Sequence, residues 1–156
     1  SIACALLSSG TTQVNRAVFM QFAVMSAIAV TSSSAAVAPR KVLCLQGIGG
    51  DGKRMYARLQ NLRVALGADW QLDCLDAPHE ISNQGDGAWW MNPPGERSYT
   101  ASTYNGDDIS IAQVEAAWAS TNYDVLLGFS QGAMLAAILS ARGLLGQGTV
   151  RPRCMV

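Results

Sequence analysis

A serine between two glycines is the clearest chemical signal in the sequence. Residues 123–137 read YDVLLGFSQGAMLAA, which places Ser130 in a G-x-S-x-G pattern between an apolar run and an Ala/Leu-rich run. A buried strand, this pattern and a helix, in that order, are typical of a nucleophile elbow, which lifts a serine hydroxyl above a parallel sheet. Small residues at Gly128 and Gly132 would let strand and helix approach closely. We therefore predict Ser130 as a nucleophile and the Gln131 N–H as an oxyanion donor. The alternative is a tight turn with an ordinary serine.

A glycine-rich stretch, LCLQGIGGDGKR at residues 43–54, fits three chemistries. A phosphate loop needs Ser or Thr directly after its lysine, and Arg54 stands there instead. A dinucleotide-binding turn would use Gly47, Gly49 and Gly52, with an acidic residue about 20 positions further on, which this sequence has. In a serine hydrolase the loop would bend over the sheet and offer a backbone N–H to the oxyanion. Only the hydrolase interpretation explains this loop and the Gly-Ser-Gly turn by one site.

His79 is the only histidine of the chain and so the only candidate for a histidine base within it. In α/β hydrolases the histidine follows the nucleophile, whereas His79 comes well before Ser130. One alternative is a self-contained triad of His79, Asp107 or Asp108, and Ser130, in the order that another protease fold uses. The other is a loop histidine that fixes a turn by hydrogen bonds.

Two adjacent tryptophans and a methionine, Trp89, Trp90 and Met91, lie in a stretch rich in Pro and Gly. Ligands of parallel α/β sheets bind at the carboxyl ends of the strands, where such a loop would lie. The three side chains would either line an acyl pocket or close the core beneath the loop. A pocket of Trp and Met without a cation would favour an uncharged or fatty acyl group over a phosphate ester.

Strand and helix patterns alternate along the chain, which predicts an α/β fold with a parallel sheet and right-handed crossovers. The predicted strands are Val42–Leu45, Trp70–Leu75 and Tyr123–Leu127, with the start of another at Val150–Val156. The predicted helices are Lys53–Leu66, Ile109–Ala119 and Ala133–Ala141, and residues 82–108 are predicted as one long loop. A loop of that length inside a compact domain is usually functional.

Composition limits the function classes. The chain has 156 residues, of which 49% are hydrophobic and 14% charged, enough apolar material for one domain. Its net charge is zero and it has no basic block, which argues against nucleic acid as a partner. The cysteines are far apart and show no C-x-x-C pairing, so we expect buried free thiols and no metal site. They are Cys4, Cys44, Cys74 and Cys154.

The first 39 residues differ from the rest of the chain because they contain no acidic residue. Arg16, an apolar run from Ala17 to Val30 and the A-x-A sequence Ala36-Val37-Ala38 follow the order of a secretory signal, and the lack of acids also suits a transit peptide. The apolar run is shorter than the roughly 20 residues that span a bilayer. We therefore expect residues 1–39 to be a targeting or unstructured segment and 40–156 to be the folded domain.

Four segments together resemble one family. KVLCLQGIGGDGK, LDAPHE, GAWW and YDVLLGFSQGAMLAA, in this order and spacing over about residues 40–156, are similar to the family of serine hydrolases (FSH) within the α/β hydrolases. That family usually has His-Gly after the first strand, where this sequence has Gln46-Gly47. Its catalytic Asp and His lie beyond the elbow, where this chain has stopped. The resemblance therefore implies a chain that is incomplete at its carboxyl end.

The resemblance also implies function. It predicts a cytoplasmic esterase or thioesterase that acts on a small acyl substrate and needs no cofactor. By loop position it assigns the second oxyanion donor to the N–H of Ile48, and it makes His79 part of a loop motif near the site. The opposing class is a non-catalytic binding domain or inactive fragment that keeps the pocket without the base.

Overall fold

A computed structural model describes residues 38–82 and 85–156. The predicted targeting segment therefore lies almost wholly outside the described residues, as does Cys4. In the described ranges, no helix has the length and apolar character that crossing a membrane requires. In chain order the elements are β1 (Arg40–Leu45), α1 (Gly52–Arg58), α2 (Gln60–Leu66), β2 (Trp70–Leu75), β3 (His79–Glu80), β4 (Gly87–Ala88), α3 (Asp107–Ser120), β5 (Val125–Gly128), α4 (Gln131–Leu144) and β6 (Cys154–Met155).

Four of the strands form one parallel sheet in the order β2-β1-β5-β6. This confirms the predicted α/β class, in which helices connect parallel strands. Because β1 and β5 are central neighbours, the loops that follow them leave the sheet side by side at its carboxyl end. The glycine-rich stretch and the G-x-S-x-G pattern are thus brought together by topology.

The core lies on both faces of this sheet. Alternate residues of β1 point to opposite faces, so that Leu43 and Leu45 join one buried cluster while Val42 and Cys44 join the other. The first cluster also contains Trp89, Trp90, Val114, Leu126, Leu135, Ala136, Leu139 and Val150. The second contains Met55, Leu72 and Leu127, with Leu59, Leu62 and Leu66 packed against it. Burial on both faces explains why the strands are continuous apolar runs.

The helix predicted over Lys53–Leu66 is wrong in one respect, because it is two helices that meet at Leu59. Helical bonds continue across the bend, from the Leu59 N–H to the Met55 carbonyl (3.1 Å) and from the Arg63 N–H to the Leu59 carbonyl (2.9 Å). The stretch contains no Pro or internal Gly that would signal a break. Met55 of α1 and Leu62 and Leu66 of α2 pack on the same core cluster.

The long loop predicted for residues 82–108 is also interrupted by structure. Gly87–Ala88 pairs with His79–Glu80 as an antiparallel hairpin, and α3 already begins at Asp107. Strands of two residues are too short to show an alternating pattern in the sequence. The hairpin is joined to the loop after β1 by two bonds, Gly49 N–H to the Gly87 carbonyl (3.0 Å) and Gly87 N–H to the Gly50 carbonyl (2.8 Å).

The cysteine prediction is confirmed only in part. Cys44, Cys74 and Cys154 are all free thiols, as predicted. Cys44 is buried, but Cys74 is half-buried and Cys154 is exposed. The exposure of Cys154 follows from its place on β6, the outermost strand of the described sheet.

Candidate active site

Ser130 lies at the turn that joins β5 to α4. Its φ of 53° and ψ of −117° make it the one non-glycine residue with positive φ in the described ranges. Such a conformation costs an L-residue about 1–3 kcal/mol and clusters at functional sites. The side chain is exposed, and no hydrogen bond among the described residues uses its hydroxyl. Ser130 therefore has the strained backbone and free hydroxyl that the elbow pattern predicts.

The two glycines of the pattern lie where no larger residue fits. A Cβ atom at Gly128 would stand 2.5 Å from Ala133 Cα, and one at Gly132 would collide with the carbonyl oxygens of Leu45 and Gln46. Real Cβ atoms do not approach other atoms so closely. The start of α4 is thus pressed against the ends of β1 and β5, and this contact fixes the turn at Ser130.

The loop after β1 lies directly beside the elbow. A Cβ atom at Gly47 would be 3.2 Å from Ser130 Cβ and 3.0 Å from Phe129 Cδ1. The Phe129 N–H donates to the Leu45 carbonyl at 3.0 Å, which ties the elbow to the end of β1. Within the described residues, the N–H groups of Ile48 and Gln131 have no hydrogen-bond acceptor. The N–H groups of both predicted oxyanion donors are therefore unpaired in the described residues.

Most other N–H groups of the glycine-rich loop are already used. Gly49 N–H donates to the Gly87 carbonyl, Gly50 N–H to the Gly47 carbonyl, Gly52 N–H to Asp76 Oδ1 (2.6 Å) and Arg54 N–H to Asp51 Oδ1 (2.6 Å). The bond from the Arg54 N–H, assisted by the guanidinium, lowers the pKa of the Asp51 carboxyl. Carboxylates thus occupy positions at which a dinucleotide site would bind pyrophosphate. The arrangement disfavours the dinucleotide alternative.

His79 is bonded to the residue that precedes α3. Its Nε2 lies 2.8 Å from the carbonyl oxygen of Gly106, the residue before α3, and its ring fills the space that a Cβ at Gly106 would need. None of the hydrogen bonds in the described part of the chain joins His79 to Asp107, Asp108 or Ser130. His79 lies on β3 and is bonded to the residue before α3, and no hydrogen bond among the described residues joins it to the other members of the self-contained triad.

The tryptophans close the core. Trp89 and Trp90 are completely buried and belong to the first core cluster, so their side chains have no exposed surface with which to line a pocket. Met91 is exposed. The Trp89 indole N–H donates to the Gln46 carbonyl at 2.7 Å, which supports the start of the loop that carries Ile48. Of the two sequence alternatives, the structure favours core closure for the tryptophans.

A small cleft opens beside the elbow instead. Its volume is about 120 Å³, and its walls include Ile48, Phe129, Met55 and Arg58. Arg54 also lines it, but the Arg54 guanidinium is paired with Asp51 Oδ2 at 2.6 Å. A larger cleft of about 430 Å³ lies along α2 and the beginning of β2 and contains none of the predicted site residues. Of these two clefts, the smaller one is therefore the one that contacts the predicted site residues.

Sequence reasoning missed the side chain of Gln131. Only its N–H was predicted to act, yet the carboxamide is fully buried and bonded to the main chain of Trp89 (2.8 Å) and Trp90 (3.0 Å). A polar residue between the elbow serine and an apolar helix was the only signal available. Its partners lie about forty positions earlier in the chain, where nothing in the sequence points to them.

Comparison with known proteins identifies the family of the chain. The family model described as Serine hydrolase (FSH1) matches residues 34–153. The chain belongs to this serine hydrolase family. A similar relative is Esterase OVCA2 of Homo sapiens, 31% identical over 134 residues that cover 72% of this chain and 59% of that protein. Another is Esterase AAEL000016 of Aedes aegypti, 28% identical over 144 residues that cover 81% of this chain and 52% of that protein.

A solved structure shows the same fold for this serine hydrolase chain. The crystal structure of esterase PE8 superposes with a TM-score of 0.53 and 27% identity, covering 69% of this chain and 53% of that one. The chain spans about half the length of the curated relatives it matches.

In the described ranges, no group of three or more His, Cys, Asp or Glu side chains is placed to hold a metal ion.

Proposed function

We propose that the chain carries the nucleophile of a serine hydrolase that acts on carboxylic esters or thioesters of small molecules. The observation that carries the proposal is the conformation of Ser130, which is strained, exposed and set between a buried strand and a tightly packed helix. A structural turn has no need to hold a non-glycine residue at positive φ. The names of the relatives support an ester substrate, and the family resemblance supports the thioester.

The proposed reaction begins with attack of Ser130 Oγ on the acyl carbonyl. The serine proton passes to a base, and the N–H groups of Gln131 and Ile48 hold the oxyanion of the tetrahedral intermediate. Removal of one such donor in other enzymes costs about 10²–10³ in kcat. The intermediate then expels the alcohol or thiol, and water releases the acid from the acyl-enzyme.

A fluorophosphonate probe tests the nucleophile, because it forms a covalent bond with a serine hydroxyl that lies beside oxyanion donors. We expect it to modify Ser130 slowly, during prolonged incubation, because no hydrogen bond joins His79 to the hydroxyl, and mass spectrometry of the labelled peptide identifies the site. Ser130→Ala should abolish the labelling while leaving the melting temperature unchanged. Ser120→Ala is the matched control, since Ser120 is exposed but lies at the end of α3. Labelling that persists in Ser130→Ala would sink the proposal.

A further inference from the structure

Gln131 is fully buried although its side chain is polar, and the carboxamide is bonded at both ends. Its Oε1 accepts a hydrogen bond from the Trp89 N–H at 2.8 Å. Its Nε2 donates to the Trp90 carbonyl at 3.0 Å and to Ser98 Oγ at 3.3 Å. A buried amide is tolerated only when its donors and acceptor are satisfied, and here they are.

The segment of Trp89 and Trp90 also contacts the loop after β1. The Trp89 indole N–H donates to the Gln46 carbonyl at 2.7 Å, two positions before Ile48. Trp89 is thus bonded through its main chain to Gln131 and through its side chain to the loop after β1. These two bonds link the backbone that carries one predicted oxyanion donor to the backbone that carries the other.

We propose that the Gln131 side chain is a positioning residue, which acts through Trp89 to hold the two oxyanion N–H groups at a fixed separation. The inference rests on the proposed function, because it assumes that these N–H groups bind an oxyanion. An oxyanion site works by preorganisation, so a small displacement of either donor lowers its effect.

Phenylboronic acid is a suitable probe because its adduct needs no general base to be stable. Ser130 Oγ would bond to boron, the serine proton would be released to water, and the resulting tetrahedral boronate would place one negatively polarised oxygen on the two N–H groups. The dissociation constant measured by boron NMR therefore reports the oxyanion site. Thermal melting of the same samples reports the fold separately.

Gln131→Met removes the amide and keeps a side chain of similar length. We expect it to weaken the boronate adduct by about tenfold to a hundredfold, a part of the loss that follows removal of a whole donor. Ser110→Ala is the matched control. Ser110 is equally buried, and its hydroxyl donates to the Trp89 carbonyl. Ser110 belongs to α3, which carries neither of the two oxyanion N–H groups. It should lower the melting temperature but change the dissociation constant less than about threefold, because both linking bonds remain.

Each outcome decides the matter. Undiminished adduct affinity in Gln131→Met would overturn the positioning role, and so would an equal loss in Ser110→Ala, which would show general loosening of the segment. If Gln131→Met does not fold, Trp89→Phe, which removes the linking bond to the Gln46 carbonyl, should weaken the adduct by about tenfold, and no change there would overturn the role. Absence of any adduct on the parent protein would instead overturn the proposed function, on which this inference depends.

Discussion

At the scale of single residues, the proposed nucleophile is not hydrogen-bonded to a histidine within the described residues. Ser130 has a free hydroxyl, while His79, the only histidine in these 156 residues, is bonded to the Gly106 carbonyl at 2.8 Å. A serine without a base is a poor nucleophile. The oxyanion donors alone can still support faint activity, since catalysis of roughly 10³–10⁴ over water survives loss of a triad elsewhere.

The first prediction follows from that arrangement. The purified 156 residues should hydrolyse p-nitrophenyl butyrate with a kcat/KM at least about a thousandfold below that of a longer family member. His79→Ala should leave this low value unchanged within about twofold while costing about 1–2 kcal/mol of unfolding free energy, because the Gly106 carbonyl loses its donor. Near-normal turnover that disappears in His79→Ala would establish the self-contained triad and refute a purely structural role for His79.

At the scale of elements, the elbow depends on how closely α4 approaches β1. Gly132→Val should therefore abolish labelling of Ser130 and destabilise the fold by about 3 kcal/mol or more, because its side chain would collide with the carbonyls of Leu45 and Gln46. Ala137→Val, on the exposed face of the same helix, controls for the β-branched side chain and should cost under about 1 kcal/mol. Denaturant unfolding of both variants makes the comparison. A Gly132→Val protein that melts like its parent would show that the turn is built differently.

The elements that the sequence could predict are those that local patterns specify. Trp70–Leu75 was predicted with its observed limits, and the strand, turn and helix around Ser130 follow from an apolar run, two glycines and an Ala/Leu-rich helix. The hairpin of β3 and β4 could not be predicted, since each strand has two residues. Nor could the bonds of Gln131, whose partners Trp89 and Trp90 are distant in sequence and are chosen by tertiary packing.

At the scale of the whole molecule, the described sheet has an exposed apolar margin at β6. The strand β5 is next to the outermost strand of the described sheet, β6, which has only two residues. The adjoining end of α4 exposes Leu144 and Leu145, with relative accessibilities of 87% and 72%. Ser140 Oγ lies 3.4 Å from Met155 Sδ, so this part of α4 and β6 form one surface.

Such a margin should make the isolated 156 residues associate with one another. Unpaired backbone of an edge strand and a neighbouring apolar patch both favour contact between copies. We expect concentration-dependent oligomers in sedimentation velocity, and the double substitution Leu144→Lys with Leu145→Lys should shift the protein toward monomer without lowering its melting temperature, because neither side chain is buried. Val64→Lys is the control, since Val64 is 77% exposed on α2, at the opposite edge of the sheet. If Val64→Lys dissolves the oligomers equally well, added net charge is the cause and the β6 margin is not the contact surface.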